Sequence, residues 1–373
     1  MSSETKNNSL VLSELPNGQF HYNRFTHPYA EQLCSALSTA YTDGQMKWKV
    51  YCSLACSGMN AIDQTIHTVL KQNIRAVTDG LVNIISSNEL YCDTPRLLQG
   101  YAQDWGCRYE QFNPTDSKEC LQLFQRLQSK ETVNILFLES CSNPSGYIFD
   151  FRIIPDLRKL CKKLVVIVDN TWLSSAIFNP FKHVSSVDFV VLSLTKYYSA
   201  GSCIAGAILT LNGKLHEQVF NVGKHSGVHV SPIYCRMILD NLSSLKERIC
   251  ASSATTLQVI QSMVNCLSNI KHPSLKNHPS YELAKLYFNN NTKGEKLYPS
   301  IFTFSQALSR TESLHWAMKT GIDVKTSFGS KHSRFCNFPK RIDDTHTQAR
   351  LSIGYEDKAE DIVSSLSKNT IEI

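Results

Sequence analysis

The chain has 373 residues and a mass of 42.1 kDa, with a hydrophobic fraction of 42% and a charged fraction of 19%. This balance excludes a disordered chain, and 16 glycines with 12 prolines exclude collagen and a proline-rich tether. The net charge of +6 is spread thinly, and its densest basic group (Arg158, Lys159, Lys162 and Lys163) reads as one solvated helix face, so no nucleic-acid partner is expected.

Residues 1–20 lack periodicity and read as a loose arm. Tyr29, Leu33, Leu37 and Tyr41 recur every four residues, which predicts a helix from Pro28 to about Thr42. A short strand follows at Trp48–Leu54, then the small residues of Cys56-Ser57-Gly58-Met59, then the helical set Ala61, Ile62, Ile66, Val69 and Leu70. Strand, tight turn and helix form an α/β unit with a helix N-terminus at the strand's carboxyl end. Leu81–Ile85, Ile135–Leu138, Leu164–Val168, Phe189–Leu192 and Ala207–Leu209 are short apolar runs. Amphipathic stretches such as Cys120–Gln128 and Ile154–Lys162 separate them, as in a mostly parallel sheet covered on both faces. Beyond residue 230 come helices at Met237–Leu245 and Thr255–Leu267, an Asn, Lys, His and Pro-rich stretch at 271–298, and a strand at Ile301–Phe304. A helix near Ser313–Lys319, a loop at 326–340, a strand at Ala349–Ile353 and a helix at Asp357–Leu366 complete a smaller α+β domain.

No run approaches the ~18 consecutive apolar residues of a membrane span. The polar start MSSETKNNS has no apolar segment of signal type, so a cytoplasmic protein without membrane contact is expected. Thirteen cysteines at irregular spacing, without a C-x-x-C, read as reduced thiols. Cys52 and Cys56 lack the further ligands that a metal site needs.

Four features ask for a joint explanation. Asp169 ends a wholly apolar strand, where a carboxylate needs a cation. Lys196, in Ser193-Leu194-Thr195-Lys196, lies just past another buried strand. Ser57-Gly58-Met59 opens a helix, an anion-binding geometry. Arg350 sits inside a partly apolar strand of the second domain. Each alone has an ordinary reading: a cap, a surface amine, a turn, a surface arginine. Pyridoxal phosphate uses all four, as an acid for its ring nitrogen, a lysine for its aldehyde, donors for its phosphate and an arginine for the substrate carboxylate.

The run Asp169-Asn170-Thr171, followed by Ser193-Leu194-Thr195-Lys196-Tyr197, resembles the active-site segment of the cystathionine γ-synthase / cystathionine lyase family. So do Tyr22-Asn23-Arg24 with His27-Pro28, Ser57-Gly58-Met59, Tyr91 with Thr94, Glu139 to Pro144, and Arg350 to Asp357. The resemblance runs from about residue 20 to the end. It implies a fold-type-I pyridoxal phosphate enzyme of sulfur amino acid metabolism, with a mostly parallel seven-stranded α/β sheet and a smaller α+β C-terminal domain. It implies an arm at 1–40 that contacts a neighbouring subunit, a cofactor-binding domain at 41–238 and a small domain at 239–373. It also implies that Lys196 holds the cofactor's aldehyde, Asp169 its ring nitrogen and Tyr91 its ring face. Ser57, Gly58, Met59, Ser193 and Thr195 would hold the phosphate, Asn143 would lie near the ring hydroxyl, and Arg350 with Ser327 would bind the substrate. Tyr22 and Arg24 would reach the neighbouring subunit's phosphate, in a homodimer or homotetramer.

The departures lie on the substrate side. Cys92-Asp93 stand where the family carries two glycines, and the segment after Lys196, Tyr197 to Cys203, is one residue shorter. In Ser327-Phe328-Gly329-Ser330-Lys331-His332-Ser333, His332 replaces a glutamate, and Lys331, His332 and Arg334 read either as readers of a substrate anion or as a basic surface loop. The expected reaction is β- or γ-elimination at a C–S bond of a cystathionine-like amino acid. γ-Replacement on an activated homoserine, other pyridoxal chemistry and a non-catalytic relic remain as alternatives.

Overall fold

The computed structural model describes residues 12–14, 20–42, 48–127, 129–183, 187–341 and 345–368. Seven strands form the large sheet in the order 51–55, 206–210, 189–193, 164–169, 133–139, 82–87 and 108–112. Strands 82–87, 108–112, 133–139, 164–169 and 189–193 run parallel, whereas 206–210 is antiparallel to both neighbours. The side-chain period of two divides each central run between two cores. Leu136, Leu138, Val166, Val168, Val190 and Leu192 join one apolar cluster, and Ile135, Phe137, Ile167, Phe189 and Val191 join the other. Burial on both faces is why these strands read as unbroken apolar runs.

The second sheet, in the order 268–271, 301–306, 347–352, 334–341 and 323–324, packs helices Arg310–Thr320 and Ala359–Ser367 on one face around a third cluster. Phe335 and Leu351 point into that cluster, which leaves Arg350 on the opposite face, toward the large sheet.

Several expectations need correction. Within the arm, Leu12–Glu14 pairs antiparallel with Phe20–Tyr22, while residues 1–11 and 15–19 lie outside those described, as does Gln128. The strand expected from Trp48 begins at Tyr51. Arg108–Phe112 is a further strand, with no apolar run because it is a half-exposed edge. The expected loop at 326–340 contains the strand Arg334–Arg341, whose pattern is broken by a register shift between Cys336 and Lys340. One helix spans Leu245–Met263. Its first turns hid from an apolar search because they bury Arg248, which donates to the Tyr197 carbonyl at 2.7 Å and the Asn241 carbonyl at 2.8 Å. The helix before it ends at Leu242. Within the polar 271–298 stretch lies the helix Tyr281–Tyr287. All thirteen cysteines are free thiols. No helix among the described residues is long and apolar enough to cross a membrane.

Candidate active site

Parallel strands end on one edge of a sheet, and there the chemistry gathers. Glu139 and Asp169 stand opposite each other in register at the ends of strands 133–139 and 164–169. Lys196 follows in the turn after strand 189–193. Helix Gly58–Gln72 begins at the same edge, with the Ser57 hydroxyl accepting from the Asn60 N–H at 3.0 Å. The first-turn N–H groups of Gly58 and Met59 lack intrahelical acceptors and carry the helix's positive end. Close packing requires the glycines here. A Cβ on Gly58 would lie 2.6 Å from the Ser193 Cβ, and one on Gly206 would lie 2.1 Å from the Ser57 carbonyl oxygen.

Between these groups lies a cavity of about 210 Å³. Ser57, Gly58 and Met59 form one end, with Ser193, Thr195 and Lys196 beside them. Tyr91, Asn143 and Asp169 also line it. Asp169 is pushed up to about 6 by burial, opposed by the Thr171 N–H, which donates to it at 2.8 Å, and by the charge of Lys196. Lys196 is pulled down to about 8 by burial and by the positive charges of Arg350 and Arg334, against the pull of Asp169. Its amine donates to the Ser327 hydroxyl at 3.1 Å. Tyr91 is pushed up to about 12 by burial and by Cys92 and Asp93 beside it.

Arg350 is buried, with 5% of its surface exposed. It donates to the Asn143 amide oxygen at 3.1 Å and to the Thr326 carbonyl, while its Nε has no acceptor. An orphaned guanidinium N–H beside the cavity is the donor that a substrate carboxylate would satisfy. An acid, an amine pulled below its ordinary range, a helix N-terminus and this arginine together fit pyridoxal phosphate carrying an amino acid.

Tyr22 and Arg24 are not brought to this cavity. Arg24 donates to the Lys224 carbonyl at 3.0 Å, lies over the Phe25 ring, and lines a separate cavity of about 230 Å³ that contains none of Lys196, Asp169 or Arg350. Tyr22 is 43% exposed. Lys331 and His332 also stay outside the cavity. Lys331 pairs with Glu356 at 3.0 Å and His332 with Asp357 at 2.9 Å, so neither side chain is turned to a substrate. Asp93 pairs with Arg96 at 2.9 Å.

Sequence reasoning missed several contributors. The Glu139 carboxylate accepts from the N–H of Tyr91 at 2.6 Å and of Asn143 at 2.9 Å, which ties two cavity walls together. Burial and the neighbouring Asp169 hold it well above the usual carboxylate range. Its place at the polar end of an apolar strand was the available signal. The Thr171 hydroxyl accepts from the Ser193 N–H at 2.7 Å. Trp172 and Phe328, 5.5 Å apart between ring centroids, close the apolar side. Their pairing had no local signal, because they lie 156 positions apart in the chain.

Comparison with known proteins identifies a family and a fold. A family model described as Cys/Met metabolism PLP-dependent enzyme matches residues 2–368. The chain is 27% identical over 338 residues to a cystathionine β-lyase of Neurospora crassa, covering 86% of this chain and 68% of that one. It is 28% identical over 235 residues to an L-methionine γ-lyase of Fusobacterium nucleatum subsp. nucleatum, covering 61% of this chain and 55% of that one. In fold it is similar to the cystathionine γ-synthase of Xanthomonas oryzae pv. oryzae, with a TM-score of 0.77 at 20% identity, covering 99% of this chain and 90% of that one.

Proposed function

We propose for this chain, which belongs to the Cys/Met metabolism PLP-dependent enzymes, cleavage of a C–S bond at the β- or γ-carbon of a cystathionine-like amino acid. The observation that carries the reading is the Lys196 amine on the wall of the cavity beside Asp169, brought down to about 8 by burial and by the charges of Arg350 and Arg334. The curated lyases among its relatives favour elimination over γ-replacement.

Pyridoxal phosphate, when bound, supplies an electron sink for the charge left at the substrate's α-carbon. We assign its phosphate to Ser57, Gly58, Met59, Ser193 and Thr195, its ring nitrogen to Asp169, its ring face to Tyr91, its ring hydroxyl to Asn143 and its aldehyde to Lys196. Arg350 grips the α-carboxylate and, with Ser327, fixes the α-carbon near the Lys196 amine. An amine at about 8 is roughly one-tenth neutral at pH 7. It can therefore take the α-proton and hold it for return to the substrate. The Tyr91 phenol, at about 12, stays protonated and can give its proton to the departing sulfur. Trp172 and Phe328 keep water from the reacting carbon.

The same reading assigns Tyr22 and Arg24 to the phosphate of a second copy, in a homodimer or a pair of dimers. It divides the chain into an arm at 1–40, a cofactor domain at 41–238 and a small domain at 239–373. The thirteen free thiols support a cytoplasmic setting.

The test is incubation of the holoenzyme with L-cystathionine and product identification by mass spectrometry. Cysteine, 2-oxobutyrate and ammonia identify γ-cleavage, and homocysteine, pyruvate and ammonia identify β-cleavage. No cleavage with the cofactor's visible band intact overturns the lyase reading. Turnover of an activated homoserine ester with a thiol would then identify γ-replacement.

A further inference from the structure

We propose that Arg334 is a second anion reader of this site, which selects amino acids whose side chain ends in a carboxylate. The inference rests on the pyridoxal phosphate reading of the cavity and narrows its substrate class.

The placement follows from sheet register. Arg334 stands opposite Ser352, and Arg350 stands opposite Cys336, across one antiparallel pair. The two arginines are therefore diagonal neighbours on one face, with backbones about 7–8 Å apart. Phe335 and Leu351 take the other face into the small-domain core. The Arg334 guanidinium packs over the segment that follows Lys196. A Cβ on Gly201 would lie 3.9 Å from its Nη2, and the Gly201 N–H donates to the Lys196 carbonyl at 3.2 Å. The charge of Arg334 is felt at the Lys196 amine.

No carboxylate among the described residues forms an ion pair with Arg334. Asp323, its neighbour on the adjacent strand, is taken by Lys325 at 2.6 Å. Glu356 and Asp357 are taken by Lys331 and His332. Lys196 lines the cavity with Asp169 and Glu139, both of which burial drives toward their neutral forms, while Arg350 and Arg334 lie outside that lining and are felt at the Lys196 amine through their charge. The cofactor's phosphate is assigned to the helix start at Gly58. The substrate's α-carboxylate satisfies Arg350. One guanidinium remains without an anion, on the same sheet face as Arg350. A carboxylate at the end of a thioether chain supplies that charge, which gives selectivity through complementarity. This replaces the broader expectation of a basic loop at 331–334, since Lys331 and His332 are paired with Glu356 and Asp357 on the surface.

The test compares S-(2-carboxyethyl)-L-homocysteine with the uncharged S-propyl-L-homocysteine, which share the same cleavable bond. Dissociation constants for the holoenzyme are read from the change in cofactor absorbance, and turnover is read separately from thiol release. Wild type should bind the carboxylate about 10- to 100-fold tighter than the uncharged compound, the range of one charge-assisted hydrogen bond. Arg334→Gln should abolish that preference, the two compounds then binding within about twofold of each other. Arg334→Lys should retain part of it. Equal binding of the two compounds by wild type, or equal losses on both in Arg334→Gln, overturns the proposal. Binding with the predicted preference but no thiol release would overturn only γ-cleavage, because a homocysteine thioether carries no C–S bond at its β-carbon.

Discussion

Replacing Lys196 by methionine should stabilise the cofactor-free protein near neutral pH. Burial and two neighbouring guanidinium groups lower the amine from its ordinary 10.5 to about 8. That displacement corresponds to about 3 kcal/mol held against the charged form in the folded state. Methionine has a similar volume and no charge, so it relieves the cost without opening a cavity. The sign follows from proton counts. Below pH 8 both folded and unfolded chains carry the protonated amine, and the folded chain bears the full cost. Between pH 8 and 10.5 the folded chain sheds its proton first, so wild-type stability rises relative to the variant across that window. Urea unfolding of both stripped proteins at pH 7 and pH 10.5 reads the difference. Lys196→Met should lead by about 2–3 kcal/mol at pH 7 and by little at pH 10.5. A variant equal to or weaker than wild type at pH 7, or a lead unchanged with pH, would refute the electrostatic account of the site.

Asp169 should behave with the opposite pH dependence. Its folded value of about 6 lies above the ordinary 3.8, so stripped Asp169→Asn should gain on wild type as pH rises from about 4 to 6 and stay level above 6, measured by the same unfolding titration. Gly58→Ala places a Cβ 2.6 Å from that of Ser193, which should cost about 1–3 kcal/mol in thermal stability and weaken cofactor affinity by equilibrium dialysis. Arg350→Ala should lower kcat/KM by the loss of about 2–5 kcal/mol, and the loss should shrink for a substrate whose α-carboxylate is methylated. Tyr91→Phe should lower kcat by about 10²-fold while leaving the alkaline limb of the pH–rate profile in place, because a phenol at about 12 does not titrate there.

The central strands were legible in the sequence because burial on both faces leaves uninterrupted apolar runs, as in Ile135–Leu138 and Phe189–Leu192. Asp169 and Lys196 were legible for the same reason, since a polar group that closes such a run stands out. The Ser57-Gly58-Met59 turn was readable because a helix start needs a cap and close packing needs a glycine. The edge strand Arg108–Phe112, the strand at Arg334–Arg341 and the buried Arg248 escaped, because tertiary pairing rather than periodicity sets their environment. The assignment of charge partners also lay beyond the sequence. Lys331, His332 and Arg334 are near neighbours in the chain. Only the fold turns the first two to Glu356 and Asp357 on the surface and stacks the third over the segment that follows Lys196. Backbone patterns are local and therefore written in order along the chain. Which charges meet depends on strand register between distant segments, and that is decided only when the two sheets pack.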